Sequence, residues 1–64
     1  MTLKQYYGKV VRITAINGMV FHGIVDDYFY PDDNESDLES IVLNAGSGGL
    51  YEFTVETIAE IVII

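Results

Sequence analysis

Carboxylates are the side chains that could do the most chemistry in this sequence. The 64-residue chain has ten acidic and three basic residues, a formal net charge of −7, and seven of the acids lie within residues 26–39. Such a cluster could hold a hard cation, and Asp32 and Asn34 have the spacing that opens a calcium loop. However, Asp37 stands where that loop needs a glycine, and Leu43 where it needs a bidentate glutamate. We therefore predict a solvated acidic segment, with no metal site and no cofactor.

Histidine and cysteine offer little chemistry in this chain. It has no cysteine, which excludes disulfides and thiolate zinc sites, and its single histidine, His22, excludes a histidine-rich metal site. No serine, threonine or carboxylate stands at a recognisable catalytic spacing from His22. The acids of a solvated segment also lack the burial that would tune a pKa for acid–base catalysis. The sequence therefore predicts a protein that is not an enzyme.

The length of the chain limits how it can be stabilised. Residues 1–64 can form one domain. A domain of this size buries only about 60 % of the surface that its unfolded chain exposes, so it usually needs a further stabilising device. With disulfides and metals excluded, self-association is the device that the sequence leaves open. No segment approaches the roughly 18 apolar residues of a membrane helix, and residues 1–8 do not resemble a signal peptide. We expect a soluble, cytoplasmic protein with no membrane partner.

The positions of these groups depend on the strands, and the first strand is clearly marked. Residues 9–16 are rich in β-branched side chains, with Val11, Ile13 and Ala15 alternating toward one face. The Asn-Gly dipeptide at residues 17–18 follows. It is typical of a two-residue hairpin turn in which both residues have positive φ.

The second strand, predicted over residues 19–30, cannot be regular. Uninterrupted alternation would bury Asp27 without a partner. Burying even a neutral polar group without a hydrogen bond costs about 2–7 kcal/mol, and an unpaired carboxylate costs more. A bulge near Asp26 and Asp27 leaves both acids near solvent and turns Tyr28 inward. Gly23 is a second bend point. A long strand with a glycine and a bulge can fold a small sheet over on itself.

The rest of the chain predicts three more short strands. Pro31 ends the second strand and opens a polar loop over residues 31–38. A third strand is predicted over 39–45, with Ile41 and Leu43 inward, and a turn follows over 46–49. A fourth strand over 50–54 has Tyr51 and Phe53 on one face, and a 3₁₀ turn over 55–57 leads into a fifth strand over 58–64. Residues 2–7 could form one or two helical turns with Thr2 as N-cap. We predict an all-β, five-stranded antiparallel SH3-like small barrel.

A family resemblance accompanies this prediction. The first half of the chain resembles the first motif of the Sm/LSm superfamily in the pattern Val11-x-Ile13-x-Ala15-x-x-Gly18-x-x-Phe21-x-Gly23-x-Val25. Residues 40–43 are similar to the strand that follows in the family, and residues 51–61 are similar to its second motif. The resemblance covers residues 8–64 and implies a divergent bacterial or phage Sm-like barrel.

The chain departs from the family where Sm proteins contact RNA. The family's RNA-binding members carry an aspartate and an asparagine in the loop after the second strand. Here that loop is the longer acidic segment 31–38. Its Asp33 and Asn34 would correspond to the family's aspartate and asparagine. The family's arginine-glycine pair before the last strand is absent, and Glu56 lies in that region, where it would repel phosphate. The resemblance therefore implies the fold more than the RNA site.

The last strand is the predicted oligomer interface. It is apolar on both faces, and its candidate residues are Ile58, Ile61, Val62, Ile63 and Ile64. An apolar edge strand is an aggregation hazard unless something covers it. The resemblance implies that the edge of one subunit pairs with the edge of the next, giving a homo-oligomeric ring. In the alternative, the first strand or the N-terminal segment covers this strand within one chain.

A candidate partner-binding surface lies beside the acidic loop. The bulge that buries Tyr28 would expose Phe29, and an exposed aromatic next to acids resembles the way SH3 domains dock basic or proline-rich peptides. The candidate residues are Phe29, Tyr30, Asp32, Asp33 and Asn34. In the alternative reading these aromatics cover the core.

Three functions remain open. The leading hypothesis is a non-catalytic, oligomeric structural or interaction protein that binds a macromolecular partner, such as another protein. The second is RNA binding inherited from the family, which the net charge disfavours. The third is an acidic mimic of nucleic acid or a peptide-binding SH3-like module.

Overall fold

A computed structural model describes residues 3–33 and 37–64 of the chain. Its strands are β1 (Val10–Ala15), β2 (Val20–Phe29), β3 (Ser40–Asn44), β4 (Leu50–Thr54) and β5 (Ile58–Ile63). Short 3₁₀ helices in the described ranges cover Leu3–Tyr6, Pro31–Asp33, Gly46–Gly48 and Val55–Thr57. The predicted N-cap Thr2 and residues 34–36 of the acidic loop lie outside the described residues.

The five strands form one antiparallel sheet in the order β4-β3-β2-β1-β5. The all-β class, the five strands and the 3₁₀ turn before the last strand are therefore confirmed. In the described residues β4 and β5 are the two ends of the sheet and do not pair with each other, so the sheet is open.

Strand β2 is shared between two halves of the sheet. Residues 20–24 pair with β1, whereas residues 24–29 pair with β3, so Ile24 is the one position whose Cα has a partner on both sides. The halves fold over each other because β2 bends between them. Phe21 of the first half meets Tyr51 and Phe53 of β4, with ring centroids 4.9 and 5.1 Å apart.

Alternation along the strands builds the core between these halves. The buried residues include the predicted inward set of β1 and β3, and Tyr51 and Phe53 share a face as predicted. The core consists of Leu3, Val11, Ile13, Ala15, Val25, Ile41, Leu43, Phe53, Ile58 and Ile61. Leu3, which no pattern in the sequence marks as a core residue, is fully buried at 0 % exposure. The N-terminal 3₁₀ turn therefore completes the core.

The β1–β2 turn differs from the two-residue type that the Asn-Gly dipeptide predicts. The N–H of Gly18 donates to the carbonyl of Ala15 at 2.9 Å, and the N–H of Ala15 donates to the carbonyl of Met19 at 2.8 Å. Gly18 has φ of 89°, whereas Asn17 is not among the positive-φ residues. This is a three-residue loop, a type I turn followed by a left-handed glycine. Asn17 Oδ1 accepts from the N–H of Met19 at 3.0 Å and stabilises the turn.

The predicted bulge in β2 is present. The β2–β3 register shifts between Val25 and Asp27, which makes Asp26 the extra residue. Asp26 and Asp27 are exposed, and Tyr28 is turned toward the core and half-buried. Asn44 of β3 donates through Nδ2 to Asp26 Oδ2 at 2.9 Å, so a side-chain bond ties the bulge to the neighbouring strand.

Gly23 is required by the closeness of two backbones. A Cβ at this position would lie 2.2 Å from the carbonyl oxygen of Asn44 and 3.1 Å from the Cα of Ala45. Both are backbone atoms, so no rotamer change could relieve the clash. The bend that joins the two halves of the sheet therefore depends on the absence of a side chain here.

We expect Gly23→Ala to destabilise the fold by about 2 kcal/mol or more, because β2 and β3 must separate to admit the methyl group. Chemical denaturation monitored by circular dichroism measures the change in the free energy of unfolding. Gly48→Ala is the matched control, since the added Cβ would meet only the Ala45 side chain at 3.2 Å. Equal stability losses for the two variants would contradict the role assigned to Gly23.

Candidate functional site

The free edge of β5 is the first component of the candidate site. The N–H of Ile64 donates to the carbonyl of Val10 at 3.0 Å, which fixes the direction of the ladder between β5 and β1. Because N–H groups alternate in direction along a strand, the N–H of Ile63 points away from β1. No strand of the described residues lies on that side of β5. This edge is open to hydrogen bonding with another chain.

The free edge of β4 is the second component of the candidate site, and no sequence pattern predicts it. The N–H of Val55 donates to the carbonyl of Glu39 at 3.1 Å, and the N–H of Ala45 donates to the carbonyl of Gly49 at 2.9 Å. These bonds set the β3–β4 register, so the N–H groups of Leu50, Glu52 and Thr54 point outward. Leu50 is 66 % exposed beside this edge.

The five predicted interface residues of the last strand divide into two groups. Ile58 and Ile61 are each 8 % exposed and pack in the chain's own core, where they face Ala15 and Ile13 of β1. Val62 is half-buried, whereas Ile63 and Ile64 are 53 % and 60 % exposed. Strand β1 pairs with one side of β5, and only the last three residues of the predicted set offer side chains to a partner.

Among the predicted partner-binding residues that the structure describes, Phe29 is less exposed than expected. Phe29 is half-buried, and Asp32 is exposed. Tyr30 is half exposed and packs edge-on against Tyr28, with ring centroids 5.1 Å apart. Lys4 Nζ lies 5.0 Å from the centroid of the Tyr30 ring and donates to the Tyr30 hydroxyl at 2.6 Å. A residue of the chain's own N-terminal turn therefore contacts Tyr30, which keeps about half of its surface exposed. The side chain of Asp33 and all of Asn34 lie outside what the structure describes.

Glu39 ties three parts of the molecule together. Its carboxylate accepts hydrogen bonds from the N–H of Leu3 and from the Tyr28 hydroxyl, the latter at 3.2 Å, and its carbonyl accepts from the N–H of Val55. Burial raises the pKa of Tyr28 above its usual 10.0, and the negative charge of Glu39 and the hydrogen bond to it act in the same direction. Glu39 lies two residues before Ile41, so strand alternation places both side chains on the same face. This spacing in the sequence could have predicted the inward position of Glu39.

The single histidine lies on the surface, apart from any cluster of metal-binding side chains in the described residues. His22 is exposed and lies opposite Arg12 in the register. Within 3–33 and 37–64, no three histidine or acidic side chains are close enough to hold a metal ion, and no pocket is present. The same residues contain no helix long and apolar enough to cross a lipid bilayer.

Comparison with known proteins leaves the site to be interpreted from its own geometry. The chain matches no protein-family model, no curated protein and no solved structure.

We expect stability to fall at alkaline pH through Tyr28. Its folded-state pKa is raised, so the protonated hydroxyl contributes stability that is fully present below about pH 10 and is lost as the pH rises through the folded-state pKa. Thermal unfolding between pH 8 and 11 should therefore show a smaller alkaline loss for Tyr28→Phe than for the wild type. Tyr7→Phe, at an exposed ring, retains Tyr28 and should keep the wild-type loss. Identical pH profiles for wild type and Tyr28→Phe would contradict this.

Proposed function

We propose that the chain is a small barrel of the SH3-like, Sm type that acts in the cytoplasm without catalysis, as a self-associating interaction protein. The observation that carries the proposal is the pair of open edges, β4 and β5, at opposite ends of one sheet. Within residues 3–33 and 37–64, no strand pairs with the outward backbone N–H groups of either edge, and each edge lies beside an exposed aliphatic side chain, Leu50 or Ile63.

The strand arrangement supports the barrel type. In a small barrel one long bent strand serves two halves of the sheet, as β2 does here. The contact of Phe21 with Tyr51 and Phe53 brings β4 over the start of β2. The two halves of the sheet are therefore joined there by side-chain packing, although within the described part of the chain no backbone hydrogen bonds pair β4 with β5. The 3₁₀ turn Val55–Thr57 leads directly into β5. These features support the small-barrel type that the sequence resemblance to the Sm superfamily implies.

The two edges favour head-to-tail assembly. An isologous contact, β5 against β5 or β4 against β4, leaves the other edge of each subunit open. A heterologous contact of β4 with the β5 of the next copy satisfies both edges of every subunit. Such contacts close into a ring when the rotation per subunit divides a full turn, and otherwise produce a filament. A closed homo-oligomer is therefore the assembly that we propose.

RNA binding receives less support from the geometry. Of the three cations, Lys4 already contacts Tyr30, which leaves Lys9 and Arg12 as exposed candidates for phosphate in each subunit. The net charge of −7 opposes the approach of a polyanion. We therefore propose a protein partner, or further copies of this chain, as the target of the assembly.

Light scattering of the purified protein at tens of micromolar tests self-association directly. We expect a mass that is a multiple of the 7.1 kDa subunit. A strict monomer at that concentration would overturn the proposal.

Proline substitutions test the edges separately. Ile63→Pro removes an N–H that points away from β1, and Leu50→Pro removes one that points away from β3, so neither breaks a ladder bond within the chain. We expect each variant alone to be monomeric and an equimolar mixture to form a 1:1 dimer, because each retains the edge that the other has lost. Ile63→Thr and Leu50→Thr, which retain the N–H groups, are the matched controls and should still assemble. Persistent assembly of either proline variant alone would show that the contact is not β4 to β5.

A further inference from the structure

The Asn17-Gly18 dipeptide lies at the exposed tip of the loop between β1 and β2. Residues 16–20 are all exposed, and Gly18 has φ of 89°. In an Asn-Gly dipeptide the glycine nitrogen can approach the preceding side-chain amide closely, because glycine has no Cβ to obstruct it. The loop therefore holds two groups that can react with each other, the Asn17 amide and the Gly18 nitrogen, in contact with water.

We propose that Asn17 is a site of spontaneous deamidation, and that hydrogen bonds of the loop set its rate. In this reaction the Gly18 nitrogen loses its proton to hydroxide and attacks Cγ of Asn17. The new N–Cγ bond closes a succinimide ring, the Cγ–Nδ2 bond breaks, and Nδ2 leaves as ammonia with a proton taken from water. Water then opens the ring. Attack at Cγ gives aspartate, whereas attack at the main-chain carbonyl carbon of residue 17 gives isoaspartate.

Both reacting groups are engaged in hydrogen bonds in the folded loop. The N–H of Gly18 donates to the carbonyl of Ala15 at 2.9 Å, and Asn17 Oδ1 accepts from the N–H of Met19 at 3.0 Å. Attack requires that hydroxide reach the Gly18 N–H and that the Asn17 side chain rotate toward the Gly18 nitrogen. Both bonds must therefore open first. For two hydrogen bonds of ordinary strength, this slows the reaction about tenfold or more relative to the unfolded chain.

Asn44 is an internal comparison for the reactive asparagine. Its Oδ1 accepts from the N–H of Gly46 at 2.9 Å, so it bonds two residues ahead, as the asparagine of the β1–β2 loop does. However, Asn44 is half-buried, and its Nδ2 donates to Asp26 at 2.9 Å. The residue that follows it is Ala45, whose Cβ obstructs the approach of the backbone nitrogen. Asn44 should therefore deamidate much more slowly.

The two products should affect the loop differently. Aspartate retains a side-chain oxygen that can accept from the N–H of Met19, and it changes the net charge from −7 to −8. Isoaspartate inserts the Cβ of residue 17 into the main chain between Ala15 and Met19, whose hydrogen bond closes the hairpin. The N–H of Ile16 donates to the carbonyl of Thr57 at 3.0 Å, so a distorted loop also disturbs the turn that leads into β5.

The test is incubation of the full chain in mildly alkaline buffer, at a pH where Tyr28 stays protonated, followed by anion exchange and peptide mapping by mass spectrometry. We expect conversion at Asn17 and little at Asn44, and mapping separates both from any conversion at Asn34. In denaturant the Asn17 rate should rise about tenfold or more, because the two hydrogen bonds are absent. Asn17→Gln, which cannot form the succinimide, is the matched control. Absence of conversion at Asn17 would overturn the site, and equal folded and denatured rates would overturn the control by the loop.

Ala45→Gly separates the effect of the dipeptide from the effect of its place in the fold. It puts a glycine after Asn44, so the variant has two Asn-Gly dipeptides within the described residues. In the folded variant Asn44 should still react more slowly than Asn17, because it is half-buried and bonded to Asp26. In denaturant the two rates should become similar. Equal rates in the folded variant would show that the dipeptide alone determines the reaction, and would overturn the structural part of the proposal.

Asn17→Asp is the reference for the aspartate product. We expect this variant to unfold at the same denaturant concentration as the wild type, because it keeps the side-chain acceptor for Met19. The isoaspartate form, separated by reversed-phase chromatography, should unfold at a lower concentration. An isoaspartate form as stable as Asn17→Asp would contradict the effect assigned to the lengthened main chain. None of these results depends on whether the edges of β4 and β5 pair with other chains.

Discussion

The shared strand β2 is the constraint on which the rest of the structure depends. One strand must pair with β1 over its first half and with β3 over its second half. It can do so only if the chain bends where the two sets of pairing meet, at Ile24. The missing side chain of Gly23 lets the backbone of β3 approach, and the extra residue Asp26 changes the phase of β2 beyond the bend. The facing halves, the core between them and the separation of β4 from β5 all follow from this bend.

Much of this local geometry could be predicted from the sequence because it follows from simple energetic choices. Burying Asp27 unpaired would have been costly, so the bulge was predictable from the alternation of the strand alone. The roles of Leu3 and Glu39 were not predictable in the same way, because each depends on a segment distant in sequence. Leu3 fills a core that the other elements leave incomplete, and its N–H is bonded to the Glu39 carboxylate. Turn type was also missed, since the Asn-Gly dipeptide is compatible with more than one loop length.

Part of the candidate site could likewise be predicted from the sequence, whereas the rest depends on how distant strands pair. The apolar end of β5 is visible in the sequence, and Ile63 and Ile64 are exposed as an interface requires. Ile58 and Ile61 looked equivalent to them but lie opposite inward residues of β1, which only the register reveals. The second edge, β4, follows from strand order and has no sequence signal of its own.

The acidic composition explains how a chain with two open edges could remain specific in its contacts. Exposed edges attract any extended chain, so most proteins cover or charge them. Copies with a charge of −7 repel each other, and this repulsion acts over about 8–10 Å at physiological salt. Contacts made through uncharged side chains add least to that cost. The exposed side chains beside the two edges, Leu50 and Ile63, are uncharged. The charge distribution would therefore restrict which surfaces can meet, while the open edges supply the attraction.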